Sequence, residues 1–181
     1  MVDENDEYIA TIVSSDKDLL QLISNDVEVK LLKQKDYIRM NREEFIKTYG
    51  LEPIKMIDLK SLMGDSSDNI PGVKGIGEKT ALKLLQDYDS LNGIYENIDK
   101  LTPKMKEKLI NDKDNAYMSY ELATINRFAP IEFNLNEIKY EGATPSLNEV
   151  YEELEFYSFI KKETKKVVQE SNVKIIESIS D

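Results

Sequence analysis

Residues 72–85, GVKGIGEKTALKLL, limit what this chain can fold into more than any other stretch. Gly75 and Gly77 flank Ile76, so the backbone can double back tightly while one aliphatic side chain plugs a core. Behind them, Ala81, Leu84, Leu85 and Tyr88 recur at helical spacing and predict a helix over 78–88 with one apolar stripe. Lys79 and Lys83 fall four apart on the opposite face. Ahead of the glycines, PIKMIDLKSLMG carries Pro53 at a helix start and Gly64 as its stop. Ile54, Ile57, Leu59 and Leu62 form its apolar side. The order is helix, loop, glycine turn, helix.

Free amides at Gly75, Gly77 and nearby positions, with the dipole of the following helix, suit a phosphate oxygen. Over residues 71–85, Lys74, Lys79 and Lys83 stand against Glu78, a local balance of +2, although the whole chain carries −11. Such a helix-hairpin-helix grips a nucleic-acid backbone without reading bases. The same residues also serve a plain turn between helices, with packing glycines and solvated lysines. A Walker loop is excluded by the glycine spacing, and a dinucleotide fingerprint by the helix, rather than strand, that precedes the glycines.

The chain has no histidine and no cysteine. That removes Ser-His triads, thiol chemistry and the usual zinc ligands, and leaves carboxylates, lysine, tyrosine or a bound metal for any catalysis. Two aspartate pairs then stand out. Asp16 and Asp18 follow the run YIATIVS, where extended backbone would point both the same way. Asp65 and Asp68 follow a helix end and can share one side of a turn. Magnesium takes a few carboxylates plus water, and two such ions act on phosphate without histidine. Each pair is equally served by ordinary roles, Asp18 capping a helix at Leu19 and Asp65 or Asp68 closing a turn. An EF-hand is excluded because DSSDN lacks the alternating ligands and closing glutamate.

With 181 residues, 40% hydrophobic and 33% charged, the chain can build a core, and no apolar run reaches membrane-spanning length. YIATIVS predicts a buried strand and DKDLLQLI a short helix. Residues 27–32 and 36–40 predict a hairpin. Asn41 and Glu44 form a capping box for a helix ending at Gly50. Ser90 caps a helix to about residue 98, and Thr102–Pro103 opens one expected to continue to about 125. A short strand is expected over 131–135 and a helix over 150–159, behind a second capping box of Ser146 and Glu149. The last stretch, from about 161, loses periodicity and predicts a linker. The absence of cysteine agrees with a reducing, cytoplasmic setting.

Taken in order, VSSDKDLLQL and YGLEPIKMIDLKSLMGDSSDNIPGVKGIGEKTALKLL closely resemble the 5'-nuclease domain of bacterial DNA polymerase I, and more distantly the flap endonucleases. The resemblance covers about residues 8–160. It implies an α/β remnant of a PIN-like nuclease core over 1–50 and a mainly α-helical helix-three-turn-helix domain over 51–130. Residues 131–160 would return to pack on the core, and 161–181 would lead towards a further polymerase domain. Asp16, Asp18, Asp65 and Asp68 would ligate Mg2+ or Mn2+ in a two-metal site. Gly72, Val73, Lys74, Gly75, Gly77, Lys79, Thr80 and Lys83 would line the DNA-binding hairpin, with K+ held beneath it by backbone carbonyls. The implied partner is double-stranded DNA with a 5' flap or nick, and no membrane.

The family's N-terminal half supplies further acidic ligands, central strands and a basic helical arch that find no match here, Asp3, Glu4, Asp6 and Glu7 included. The chain therefore reads as a fragment whose parent cuts DNA and which is itself inactive. The alternative is a non-catalytic duplex-DNA-binding module. Gly77→Val is expected to disrupt the hairpin more than loss of either lysine, on the premise that Gly77 needs a positive φ.

Overall fold

The computed structural model describes residues 8–132, 134, 137–140, 142 and 147–160. The chain divides into two compact units after Ala129. The first begins with a three-stranded sheet in the order β1-β2-β3, where β1 is Ala10–Ser14, β2 Val27–Leu32 and β3 Tyr37–Met40. β1 runs parallel to β2, Ala10 opposite Val27, and β3 returns antiparallel, Val29 opposite Met40. β2 contributes buried Val29 and Leu31. The expectation of a buried first strand is corrected: β1 alternates half-buried and exposed residues, because it lies at the sheet edge beside a single neighbour. Between β1 and β2 runs a 3-10 turn, Lys17–Leu22, which carries Leu20 into the core.

Helices follow. α1, Arg42–Tyr49, starts where the Asn41 side chain accepts from Glu44 N at 2.9 Å and ends at Gly50 with φ 67°. A 3-10 turn over Pro53–Lys55 feeds α2, Met56–Met63, the central helix. Residues 56–62 are all buried, as befits a helix covered on every side. α3, Glu78–Tyr88, lies across it with Ala81, Leu84 and Leu85 inward. α4, Leu91–Glu96, is capped by Ser90, whose hydroxyl accepts from Gly93 N. α5, Pro103–Asn111, and α6, Lys113–Ala123, complete the unit. The main hydrophobic core runs from Leu20 and Val29 of the sheet region through Phe45 and Leu59 to Leu109 and Ala116, and a smaller cluster joins Ile57, Ile70 and Ala123.

The long helix expected from residue 102 to about 125 is thus two helices. Asp112 leaves helical geometry at φ −110°, ψ 23°, and its carboxylate accepts from Lys74 N in the glycine turn at 2.9 Å. A tertiary hydrogen bond outweighs local propensity at that residue.

In the second unit, α7 spans Leu147–Glu153, and Glu155 sits at φ 58°. The helix expected over 150–159 therefore begins and ends earlier, its tail folding into turns in which Phe156 N donates to Tyr151 O. Ser146 and the segment 161–181 lie outside the described residues, and the strand expected over 131–135 lies partly outside them.

α2 buries three polar residues, and each is answered. Asp58 accepts from Leu91 N at 2.8 Å, capping α4 from a distance, and Ser61 donates to Asp58 O. Burial pushes the Asp58 carboxyl up from its ordinary range, against the hydrogen bond from Leu91. A raised folded-state pKa favours the protonated form, so this group's contribution to stability is full below the unfolded value and lost as pH rises through the folded one. Asp58→Asn keeps an oxygen for Leu91 N and removes the charge. It should melt above wild type at pH 7, with the advantage shrinking as the pH falls towards 4. Asp58→Ala strands a buried amide and should cost about 1–3 kcal/mol. Thermal melts from pH 4 to 7 check both.

Candidate functional site

The glycine turn is built against α5 and α6 more than against itself. Gly72 N donates to the buried Ser119 hydroxyl at 3.0 Å and Val73 N to Leu62 O at 2.8 Å. Lys74 N donates to Asp112, and Ile76 N closes a turn onto Val73 O. Val73 and Ile76 are buried and anchor the turn in the core. Gly72, also buried, and Val73 thus shape the hairpin, while Lys74, Gly75, Gly77, Lys79 and Lys83 face outward and Thr80 is half-buried. Thr80 N is turned inward to Gly77 O.

The amides of Gly75 and Gly77 donate to nothing among the described residues. They stand just before α3, whose N-cap, Gly77, offers no side chain to its first amides. The carbonyls of Val73, Gly75 and Gly77 each accept an internal hydrogen bond, that of Gly75 from Lys108 Nζ at 2.7 Å. Glu78 opens α3 and disfavours an anion directly on the helix end.

The premise about Gly77 is corrected. It has φ −98°, an extended value open to any residue, and a Cβ there meets nothing within 4 Å. Positive φ occurs instead at Gly72, 61°, and Gly75, 76°.

The aspartates gather beside this turn. Asp16, Asp65 and Asp68 line one cavity of about 570 Å3 together with Lys17, Lys60, Ser67 and Glu78. Between Asp16 and Asp18 the chain enters a 3-10 turn in place of the extended backbone expected there. Asp16 caps that turn, accepting from Asp18 N at 2.8 Å, while Asp18 contacts Lys60. Asp65 pairs backbone to backbone with Ile70, the tight loop between them passing through Asn69 at φ 57°. Its carboxylate accepts from Lys60 Nζ at 2.7 Å and from Ser67 N at 2.9 Å. The Lys60 ammonium first, then Ser67, hold the Asp65 carboxyl well below the usual range.

Among the described residues no three carboxylates converge to hold one ion. Pairs do fit a hard cation. The buried Asp18 Oδ1 and Asp65 Oδ2 both contact the Lys60 ammonium. Two carboxylate oxygens around one positive charge, next to a cavity carrying Asp16 and Asp68, form the donor set a magnesium-like ion takes with waters.

Sequence reasoning passed over Lys60, Lys108, Asp112 and Ser119. Only Lys60 left a local trace, a charge inside the apolar pattern of MIDLKSLM. The others act across tens of residues.

This small mixed sheet with its helical cluster has the fold of the 5' nucleases. The T5 5'-exonuclease, solved with divalent zinc, aligns with a TM-score of 0.54 and 22% identity, over 64% of this chain and 42% of its own. The catalytic core of Rad2, solved in complex with DNA substrate, gives 0.52 and 18%, over 81% and 51%. Residues 51–146 match the family described as 5'-3' exonuclease, C-terminal SAM fold, and the chain belongs to that family. DNA polymerase I of Streptococcus pneumoniae serotype 4 is 44% identical over 180 residues, 97% of this chain and 20% of that protein. The chain thus spans about a fifth of the length of that relative. No helix among the described residues is long and apolar enough to cross a membrane.

Proposed function

We propose that this chain is the duplex-holding part of a metal-dependent 5' nuclease within a DNA polymerase I. In this reading, residues 1–50 belong to the nuclease core, 51–130 form the helix-three-turn-helix domain, 131–160 return to the core, and 161–181 lead on towards a polymerase domain. The single observation that carries it is adjacency: Glu78, which directly follows Gly77, and Gly64, against which Gly72 packs, line the same cavity as Asp16, Asp65 and Asp68. A sugar-phosphate rail on the glycine turn brings a phosphodiester towards carboxylates.

The rail is held by shape and charge, so binding is indifferent to base sequence. Asp16, Asp18, Asp65 and Asp68 are the residues to hold Mg2+ or Mn2+. Such an ion polarises phosphate oxygen and lowers the pKa of bound water. Ser67 orients Asp65, and the Asp18 amide orients Asp16. K+ at the hairpin would share carbonyls already engaged internally, through their second lone pair. The substrate is duplex DNA with a 5' flap or nick, in the cytoplasm. The 181-residue chain by itself binds without cutting, because the further acidic ligands of the family's N-terminal half find no match in its sequence.

Fluorescence anisotropy with unrelated duplexes tests the rail. Lys79→Ala and Lys83→Ala should each weaken binding equally across sequences and reduce the salt slope by roughly one unit. A wild-type chain with strong sequence preference, or a flat salt response, contradicts the reading.

One observation favours a second reading, a duplex-binding module without metal: Lys60 already neutralises Asp18 and Asp65. Calorimetric titration with Mn2+ separates the two. Heat that is lost in Asp68→Ala supports the nuclease site, and identical isotherms support binding alone.

A further inference from the structure

Lys60 sits in the middle of α2, the most enclosed helix among the described residues, its side chain 4% exposed. A lysine so buried keeps its charge only where carboxylates meet it. Two do, from distant parts of the chain: Asp18, delivered by the 3-10 turn after β1, and Asp65, delivered by the loop after α2. Asp65 Oδ2 accepts a hydrogen bond from the ammonium at 2.7 Å. Asp18 Oδ1 is itself buried and lies in direct contact with the same ammonium, so one tethered cation closes both carboxylates.

The arrangement is a cation site in which the cation is tethered to the protein. It also has an exit. Lys60 lines the cavity shared by Asp16, Asp68 and Glu78, and a four-carbon stem is flexible enough to carry its ammonium there.

We propose that Lys60 is a displaceable counter-ion: it holds Asp18 and Asp65 together in the absence of a divalent cation, and a divalent cation reaching that pair pushes its ammonium into the adjoining cavity. This rests on the four aspartates being metal-binding. Lys60 is a positioning residue in that scheme. It prevents two half-buried carboxylates from repelling one another, and as a tethered competitor it weakens the pair's affinity for free cations.

Calorimetry with Mn2+ on the full 181-residue chain, wild type against Lys60→Met, reads the competition. Removing the tethered cation should tighten Mn2+ binding by about tenfold or more. An unchanged or weaker isotherm overturns the proposal. Asp68→Ala, run alongside, separates this from the underlying reading. If Asp68→Ala binds Mn2+ as wild type does, the metal reading itself fails and the proposal with it. If Asp68→Ala loses affinity while Lys60→Met gains none, the counter-ion proposal alone fails.

Lys60→Met leaves two carboxylates facing each other and can fail to fold, so a second measurement uses the unaltered side chain. In a chain labelled with 13C at lysine Cε, the Lys60 resonance is assigned by its loss in Lys60→Arg and followed during Mg2+ titration. Movement towards the position of exposed lysines as Mg2+ saturates supports displacement. A Lys60 resonance that stays fixed while Mg2+ binds overturns it.

Discussion

Gly72→Ala is expected to abolish cooperative folding at room temperature, or to lower the melting temperature by more than about 15 °C. A Cβ at Gly72 would stand 2.3 Å from Gly64 N, 2.7 Å from Gly64 Cα and 2.7 Å from Met63 C. All three are backbone atoms, so no side chain can swing aside. Neither partner can retreat: Gly64 N is bonded to Lys60 O at the end of α2, and Gly72 N to Ser119 inside the core. The residue also needs φ 61°, which costs an alanine roughly 1–2 kcal/mol before any clash. The sum exceeds about 4 kcal/mol, the range reserved for specific structural failure.

Gly75→Val is milder. Its neighbour is the mobile tip of Lys108, and the left-handed backbone is the main cost. Gly77→Ala should melt within about 2 °C of wild type, since its φ is ordinary and the space around it open. Circular dichroism on the three variants checks the order. A Gly72→Ala chain as stable as Gly77→Ala would refute the close approach of the turn to the end of α2.

Features decided within a few residues were legible in the sequence. The α3 stripe, the Asn41 cap, the Ser90 cap and the β2–β3 hairpin each depend on neighbours within one or two turns, and each forms as read. The features that went unread depend on partners far along the chain. The break between α5 and α6 answers an amide in the glycine turn, which no helical periodicity records. The modest burial of β1 follows from its place at the sheet edge, which composition does not encode.

The acidic site divides the same way. That the two aspartate pairs would share one site was readable only through the family resemblance, since spacing and the missing histidines left ordinary roles open for each pair. Which oxygen faces the cavity was not, because a 3-10 turn rather than extended backbone separates Asp16 from Asp18. The glycine turn shows the same limit. Two glycines around an isoleucine announce a tight bend, but φ assigns the strain to Gly72 and Gly75 and leaves Gly77 replaceable.

The second large effect falls on Gln21, a buried amide between the sheet region and the last helix of the first unit. Its Nε2 donates to Ala123 O at 2.9 Å, and its Oε1 accepts from Ile125 N at 3.0 Å. One side chain therefore closes the C-terminal end of α6, binding the last carbonyl, at Ala123, and the amide of Ile125 two residues beyond it. Gln21→Met preserves length and apolar packing but strands both groups. Each buried group left unpaired costs roughly 1–3 kcal/mol, with some relief at half-buried Ile125, so the loss should be about 2–4 kcal/mol. The melting temperature should fall by roughly 10 °C. Gln86→Met is the control, since its exposed amide reaches Tyr49 O at 3.3 Å and is worth little. Because Gln21 ties the strand-bearing segment that presents Asp16 and Asp18 to the helix holding Ser119 under the glycine turn, amide exchange should quicken at Ile125 and at Gly72 together. Faster exchange at Ile125 alone would mean that the two halves of the site are not mechanically joined through α6.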